Sequence, residues 1–163
     1  MRTKRILSII DLQKPYLDKI DNRVVNNMMA YVYNLLQLQK YDLIVNLSYD
    51  DYFGRTTDRK LSAILKSLPN VYHMSKDFND GSEQILDAIH AKGIWNYRHK
   101  LEIVGVNTDA CVIDTVGGLC SSPDYNANIF IHESGVASSN GIHYSENAVS
   151  KMYSYYSVKL IRG

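Results

Sequence analysis

Short apolar runs rich in β-branched residues recur along the chain, and longer amphipathic stretches separate them. Ile6–Ile10, Leu43–Leu47, Val71–Met74, Leu101–Val106, Ile129–His132 and Val158–Ile161 read as six strands. Between them, Val24–Leu38 places Val24, Val25, Met28, Tyr31, Val32, Leu35 and Leu36 at helical spacing. Further helices are expected over 61–68, stopped by Pro69, from Ser82 to His90, ended by Gly93, over 109–119 and over 144–153. Strands that are apolar throughout must be buried on both faces, which requires a parallel sheet with helices on each side. The predicted fold is an α/β three-layer α-β-α sandwich around a mainly parallel six-stranded sheet. With no linker or low-complexity segment, residues 1–163 read as a single domain.

The charge balance excludes several functions. The formal net charge is +1, with no long run of one sign, so nothing favours nucleic acid or an anionic membrane as a partner. No apolar stretch is long enough to span a bilayer. The opening residues put basic side chains before apolar ones, as a signal peptide does. That apolar run is short and ends at Asp11 without a small-residue cleavage site, so a first strand is expected. Cys111 and Cys120 would lie on opposite faces of one helix, about 13 Å apart along its axis. A disulfide needs Cα atoms within about 7 Å. Two unpaired thiols fit a reducing, cytoplasmic setting.

Ligands of open α/β sheets bind beyond the carboxyl ends of the strands. Asp11 directly follows the first strand, Lys76 lies two residues past the third, and Cys111 lies five past the fourth. A carboxylate, a cation and a thiol are thus expected on one sheet edge. Thr108 is a plausible N-cap for the helix that carries Cys111. The positive end of that helix and a nearby lysine would lower the thiol pKa, and free backbone N–H groups there can bind an oxyanion. Gln13, Tyr16, Tyr52 and Phe78 fall in loops at this edge and are candidates to line a substrate pocket. The Gly117-Gly118 pair is expected to let its helix pack closely on the sheet.

The stretch Ile103-Val104-Gly105-Val106-Asn107-Thr108-Asp109-Ala110-Cys111-Val112 resembles the nucleophile motif of the isochorismatase-like cysteine hydrolases, a superfamily that includes nicotinamidases and N-carbamoylsarcosine amidases. Ile9-Ile10-Asp11-Leu12-Gln13 is similar to its opening strand. Tyr72–Lys76, with Phe78 and the helix from Ser82, is similar to its lysine segment, and 132–152 resembles its C-terminal pattern. The resemblance implies a hydrolase of carbon–nitrogen bonds in a small molecule. Asp11 would be the base, Lys76 its cationic partner and Cys111 the nucleophile that forms a thioester. It also implies an oxyanion region at Val106, Asn107 and Ala110, a cis peptide at Val106-Asn107, and a homo-oligomer.

The departures matter as much. Nicotinamidases hold a metal through an Asp and histidines after the second strand. Asp50 stands near that Asp, but no histidine occurs from 41 to 70. Borderline metals prefer imidazole, so no metal or other cofactor is expected, and nicotinamide is a weaker substrate choice. Isochorismatases proper lack the nucleophilic cysteine, so Cys111 argues against vinyl-ether hydrolysis. The first half looks short for the family, as though pocket walls were missing. Two alternatives stay open: a lapsed enzyme that binds a small molecule or inhibits a partner, and a nicotinamidase. Cys120 reads as structural, His143 as a helix-start residue, His73 and His132 as core or interface residues, and Tyr153, Tyr155 and Tyr156 as packing or oligomer contacts.

Overall fold

The computed structural model describes residues 2–51, 55–96, 98–123, 125 and 128–163. Its strands are β1 (Lys4–Ile10), β2 (Leu43–Tyr49), β3 (Val71–Lys76), β4 (His99–Val106), β5 (Asn128–Ala137) and β6 (Lys159–Ile161). Every pairing between them is parallel, in the order β3-β2-β1-β4-β5-β6. The helices are α1 (Lys14–Leu17), α2 (Asn22–Leu38), α3 (Arg59–Ser67), α4 (Ser82–Ala91), α5 (Ile113–Ser121) and α6 (Ile142–Tyr156). Each predicted strand and long helix is present, most of them longer than expected. The strands extend because their polar outer residues still complete ladder hydrogen bonds, which apolar patterning does not register.

Side-chain alternation sorts the sheet into two cores. Ile6, Ile10, Val45, Leu47, Leu101 and Ile103 face α4, α5 and α6. Leu7, Ile9, Ile44, Val104 and Val106 face α2 and α3. Asp21 caps α2 by accepting from the amides of Arg23 and Val24, and Asp58 caps α3 by accepting from Leu61. Chain direction across the sheet reverses beside β1: β2 and β3 add on one side, β4 to β6 on the other. Such a switch point leaves a crevice at the carboxyl ends of the two central strands. Here those ends deliver Asp11 and, one turn on, Cys111.

Gly105 makes the close β1–β4 contact possible. Its φ is 145°, and a Cβ there would stand 2.2 Å from the Ile10 carbonyl oxygen. The Gly117-Gly118 expectation is corrected in its target. A Cβ at Gly118 would strike the Asp80 carboxylate and Ser82 at the start of α4, and one at Gly117 would crowd Tyr156. The two glycines therefore fit α5 between its neighbouring helices, not onto the sheet.

Candidate active site

Asp11 leaves β1 with φ 53°, in the left-handed region, while its amide donates to Leu47 at 3.0 Å. Few residues other than glycine adopt this backbone, and aspartate is among those that tolerate it. The turn aims the carboxylate along the sheet edge, where it is 1% exposed. Lys76, at the end of β3, is also 1% exposed. Its ammonium pairs with Asp11 Oδ2 at 2.8 Å and donates to the Phe78 carbonyl at 3.1 Å and the Asn79 carbonyl at 3.2 Å. The Tyr49 ring lies 4.9 Å from the same Nζ. A lysine this deep needs a full set of partners, and it has one. Neither Asp11 oxygen has a donor in good hydrogen-bonding geometry, so the carboxylate is held by charge and keeps lone pairs free.

Cys111 lies in a wide π turn, Thr108–Val112, that precedes α5. The amides of Ala110 and Val112 both donate to the Asn107 carbonyl at 3.1 Å, and the Cys111 amide has no acceptor outside the turn among the described residues. The Val106-Asn107 peptide is cis. Side chains from the β5–α6 connection brace the turn. Asp109 accepts from Ser138 at 2.5 Å and from Asn140 at 2.8 Å, and Asn107 Oδ1 accepts the Ser139 amide at 2.8 Å. Burial works against the Asp109 charge, but the Ser138 and Asn140 hydrogen bonds outweigh it and hold that carboxyl below its ordinary value. The predicted Thr108 cap is corrected. Its hydroxyl is 2.8 Å from that of Ser145 in α6, and no side chain caps the turn. A π turn directs this side chain sideways into the neighbouring helix, and its extra residue per turn has no signature in local patterning.

The thiol is corrected as well. Burial pushes Cys111 up to about 12, helped by the negative charge of Asp11, and Lys76 only partly opposes them. The carboxyl of Asp11 is itself raised, first by burial, against the lowering effects of Lys76 and Cys111. At neutral pH the sulfur therefore carries its proton, and a thiol in that state can attack only after a base removes it. Asn79, which sequence reasoning passed over, places its Oδ1 3.6 Å from Sγ as an acceptor. Thr115 on α5 donates to the Asn79 carbonyl at 3.4 Å and accepts the Gly81 amide at 2.9 Å. The only clue to Asn79 was its place between Lys76 and α4.

The expected pocket residues divide. Tyr16 is half-buried, packs edge-on to Tyr49 at 6.3 Å, and feels the charges of Asp11 and Cys111 after burial itself in raising its hydroxyl pKa. Phe78 is 78% exposed beside the lysine. The Gln13 amide donates to Thr56 at 2.6 Å and to the Tyr49 carbonyl at 3.2 Å, and accepts from the Tyr49 amide at 2.7 Å. These bonds use both of its N–H donors and tie β2 to the following loop. Tyr52 lies outside the described residues. A groove of about 1260 Å³ runs between β5, β6, α6 and the start of α2, with neither Asp11, Lys76 nor Cys111 in its lining. Among the described residues no three His, Cys, Asp or Glu side chains come together as a metal site. His73 is instead 3.2 Å from the Asn46 amide nitrogen.

This architecture matches solved proteins over its whole length. A nicotinamidase from Staphylococcus aureus superposes with a TM-score of 0.73 at 22% identity, covering 98% of each chain. The chain has the isochorismatase-like fold. An isochorismatase-like hydrolase from Alkaliphilus metalliredigens superposes at 0.68 with 13% identity, covering 98% of this chain and 94% of that one. A hydrolase of unknown specificity from Escherichia coli, described as octameric, superposes at 0.71 with 17% identity, covering 98% and 75%. The chain is thus shorter than the last of these but spans nearly all of the nicotinamidase, so a shortened first half is not general to the comparison. No protein-family model matches the sequence, and no curated protein matches it.

Proposed function

We propose that the protein is a cysteine hydrolase that cleaves an amide or ureido carbon–nitrogen bond in a small molecule. The observation that carries this reading is the convergence at the switch point of a buried Asp11–Lys76 pair, 2.8 Å apart, with the thiol of Cys111. Asp11 takes the thiol proton as the sulfur pair attacks the carbonyl carbon. The resulting oxyanion lies against the Cys111 amide. Collapse expels the nitrogen leaving group, which receives the proton from Asp11, and leaves a thioester. Asp11 then takes a proton from water, whose oxygen attacks the thioester, and the acid departs as Cys111 regains its proton. Lys76 keeps Asp11 ionised in a buried place and offsets charge on the sulfur. These steps are written without a metal, since no histidine occurs from residue 41 to residue 70 to serve a nicotinamidase-type site.

Tyr16 and the exposed Phe78 are suited to flank a small, flat acyl group. The likeness to a nicotinamidase makes nicotinamide one member of the substrate panel. The octameric neighbour and the exposed Tyr144, Tyr153 and Tyr155 of α6 support a homo-oligomer. Two free thiols support a cytoplasmic setting. No helix among the described residues is long and apolar enough to cross a membrane.

The test is ammonia or amine release from a panel of small carboxamides and ureido compounds. Wild type should cleave at least one, and Cys111→Ala should abolish that cleavage. Undiminished cleavage by Cys111→Ala would overturn the reading. A Cys111→Ala protein that still binds the same compound tightly, beside a wild type that never cleaves it, would favour a lapsed binding protein instead.

A further inference from the structure

The single proton of Cys111 has two acceptors in reach. Asp11 lies on the buried side, 1% exposed. The carboxamide oxygen of Asn79 lies 3.6 Å from Sγ, on a residue open to solvent. One S–H can serve only one acceptor at a time. We propose that Asn79 is a positioning residue that parks the Cys111 proton on the solvent side of the sulfur until an arriving substrate displaces its carboxamide and turns the S–H toward Asp11. The inference rests on the reading of Cys111 as nucleophile and Asp11 as base.

The geometry around Asn79 supports this role. Its backbone is fixed from below, since its carbonyl accepts from Lys76 Nζ at 3.2 Å and from Thr115 Oγ1 at 3.4 Å. The side chain is left as the movable part. A carbonyl oxygen aimed at the sulfur stabilises the thiol and presents the negative end of its dipole to a thiolate. That agrees with the high position of the thiol, which burial and Asp11 set first. The substrate must come from solvent, and Asn79 is the exposed one of the two acceptors. Displacement changes only the acceptor: the S–H bond then breaks toward the Asp11 carboxylate, and the electron pair stays on sulfur for attack. Among the described residues, the charged or titratable groups that face the sulfur are Asp11 just after β1, Lys76 from β3 and Tyr16 from α1.

The test is iodoacetamide alkylation of the full chain without substrate, resolved by mass spectrometry, with Cys120 as the internal reference. Asn79→Leu keeps the shape of the side chain and removes the acceptor. It should alkylate at Cys111 roughly threefold or more faster than wild type near neutral pH. That advantage should shrink toward none as the pH approaches the thiol's own titration, where both proteins are ionised. Asn79→Asp, which adds a negative charge, should alkylate more slowly than wild type. Equal or slower alkylation of Asn79→Leu at neutral pH would overturn the proposal. So would one constant acceleration at every pH, the mark of lost cover and not of a lost acceptor. Because alkylation needs no turnover, the two readings separate. The predicted profile in a protein that cleaves no amide sinks the hydrolase reading alone. A flat profile in a protein that does cleave amides sinks the Asn79 role alone.

Discussion

The Lys76 ammonium lies 2.8 Å from Asp11 Oδ2, with side-chain exposures of 0% and 2%. A buried pair of this kind is costly to break from one side, because the remaining charge has no solvent. Lys76→Met should destabilise the fold by about 3 kcal/mol or more, unless Asp11 takes up a proton. Protonation would remove the base, so activity should fall about 10²- to 10⁴-fold either way. The double variant Asp11→Asn/Lys76→Met should recover most of the stability and none of the activity. Denaturant unfolding and turnover on one cleaved amide check both; a Lys76→Met protein as stable and active as wild type contradicts the pairing.

Asp11 must be ionised to accept the thiol proton, and burial raises its carboxyl against the opposing effects of Lys76 and Cys111. Activity should therefore climb as pH rises through that raised value. The acid limb of kcat/KM should have its midpoint above the ordinary aspartate value of about 3.9. The thiol, pushed up to about 12, should give no alkaline limb near neutrality. A pH–rate profile flat down to about pH 4 contradicts Asp11 as the base.

Away from the site, Glu102 is fully buried between strands. It accepts from Arg5 at 2.9 and 2.8 Å and from Tyr41 at 3.0 Å, and lies 2.9 Å from His132 Nε2. Burial alone would raise it; the His132 and Arg5 hydrogen bonds and the Arg5 and Lys100 charges outweigh that and bring it from 4.5 to about 2. A depressed carboxylate contributes stability above its unfolded value and loses it as pH falls toward the folded one. Stability should thus decline between pH 4.5 and 2. Glu102→Gln should cost about 2 kcal/mol at neutral pH and flatten that decline. Thermal melts over the acid range check it, and an equally steep decline in the variant would place the acid sensitivity elsewhere.

Chelation gives a further check. The described residues bring no three metal-ligating side chains together, and the steps written for Asp11 and Cys111 need none. Dialysis against a strong chelator should leave amide cleavage unchanged. Loss of activity, restored by a divalent metal, would contradict this.

The layers and the meeting of Asp11, Lys76 and Cys111 at one sheet edge were legible because they rest on strong local signals. Apolar runs fixed the strands, and Asp11, Lys76 and Cys111 each follow a strand closely. Their convergence then depended only on strand order, which parallel topology restricts. What stayed hidden depended on geometry with no local signature. The π turn moved Thr108 from a cap to a contact with Ser145. Gln13 was spent on Tyr49 and Thr56 by a loop that folds back. The thiol's upward shift depends on how deeply Cys111 and Asp11 are buried together, which no motif states. Asn79 reaches the sulfur through a loop whose path the sequence does not dictate.

The most direct test is to incubate wild type and Cys111→Ala with the same small amides, quench in acid, and weigh the intact chain. The account predicts a mass gain equal to the acyl half of a cleaved amide, located on Cys111 and missing from Cys111→Ala. Amide cleavage with no adduct on Cys111 under rapid quench, or an adduct that persists in Cys111→Ala, would contradict thioester chemistry at this site.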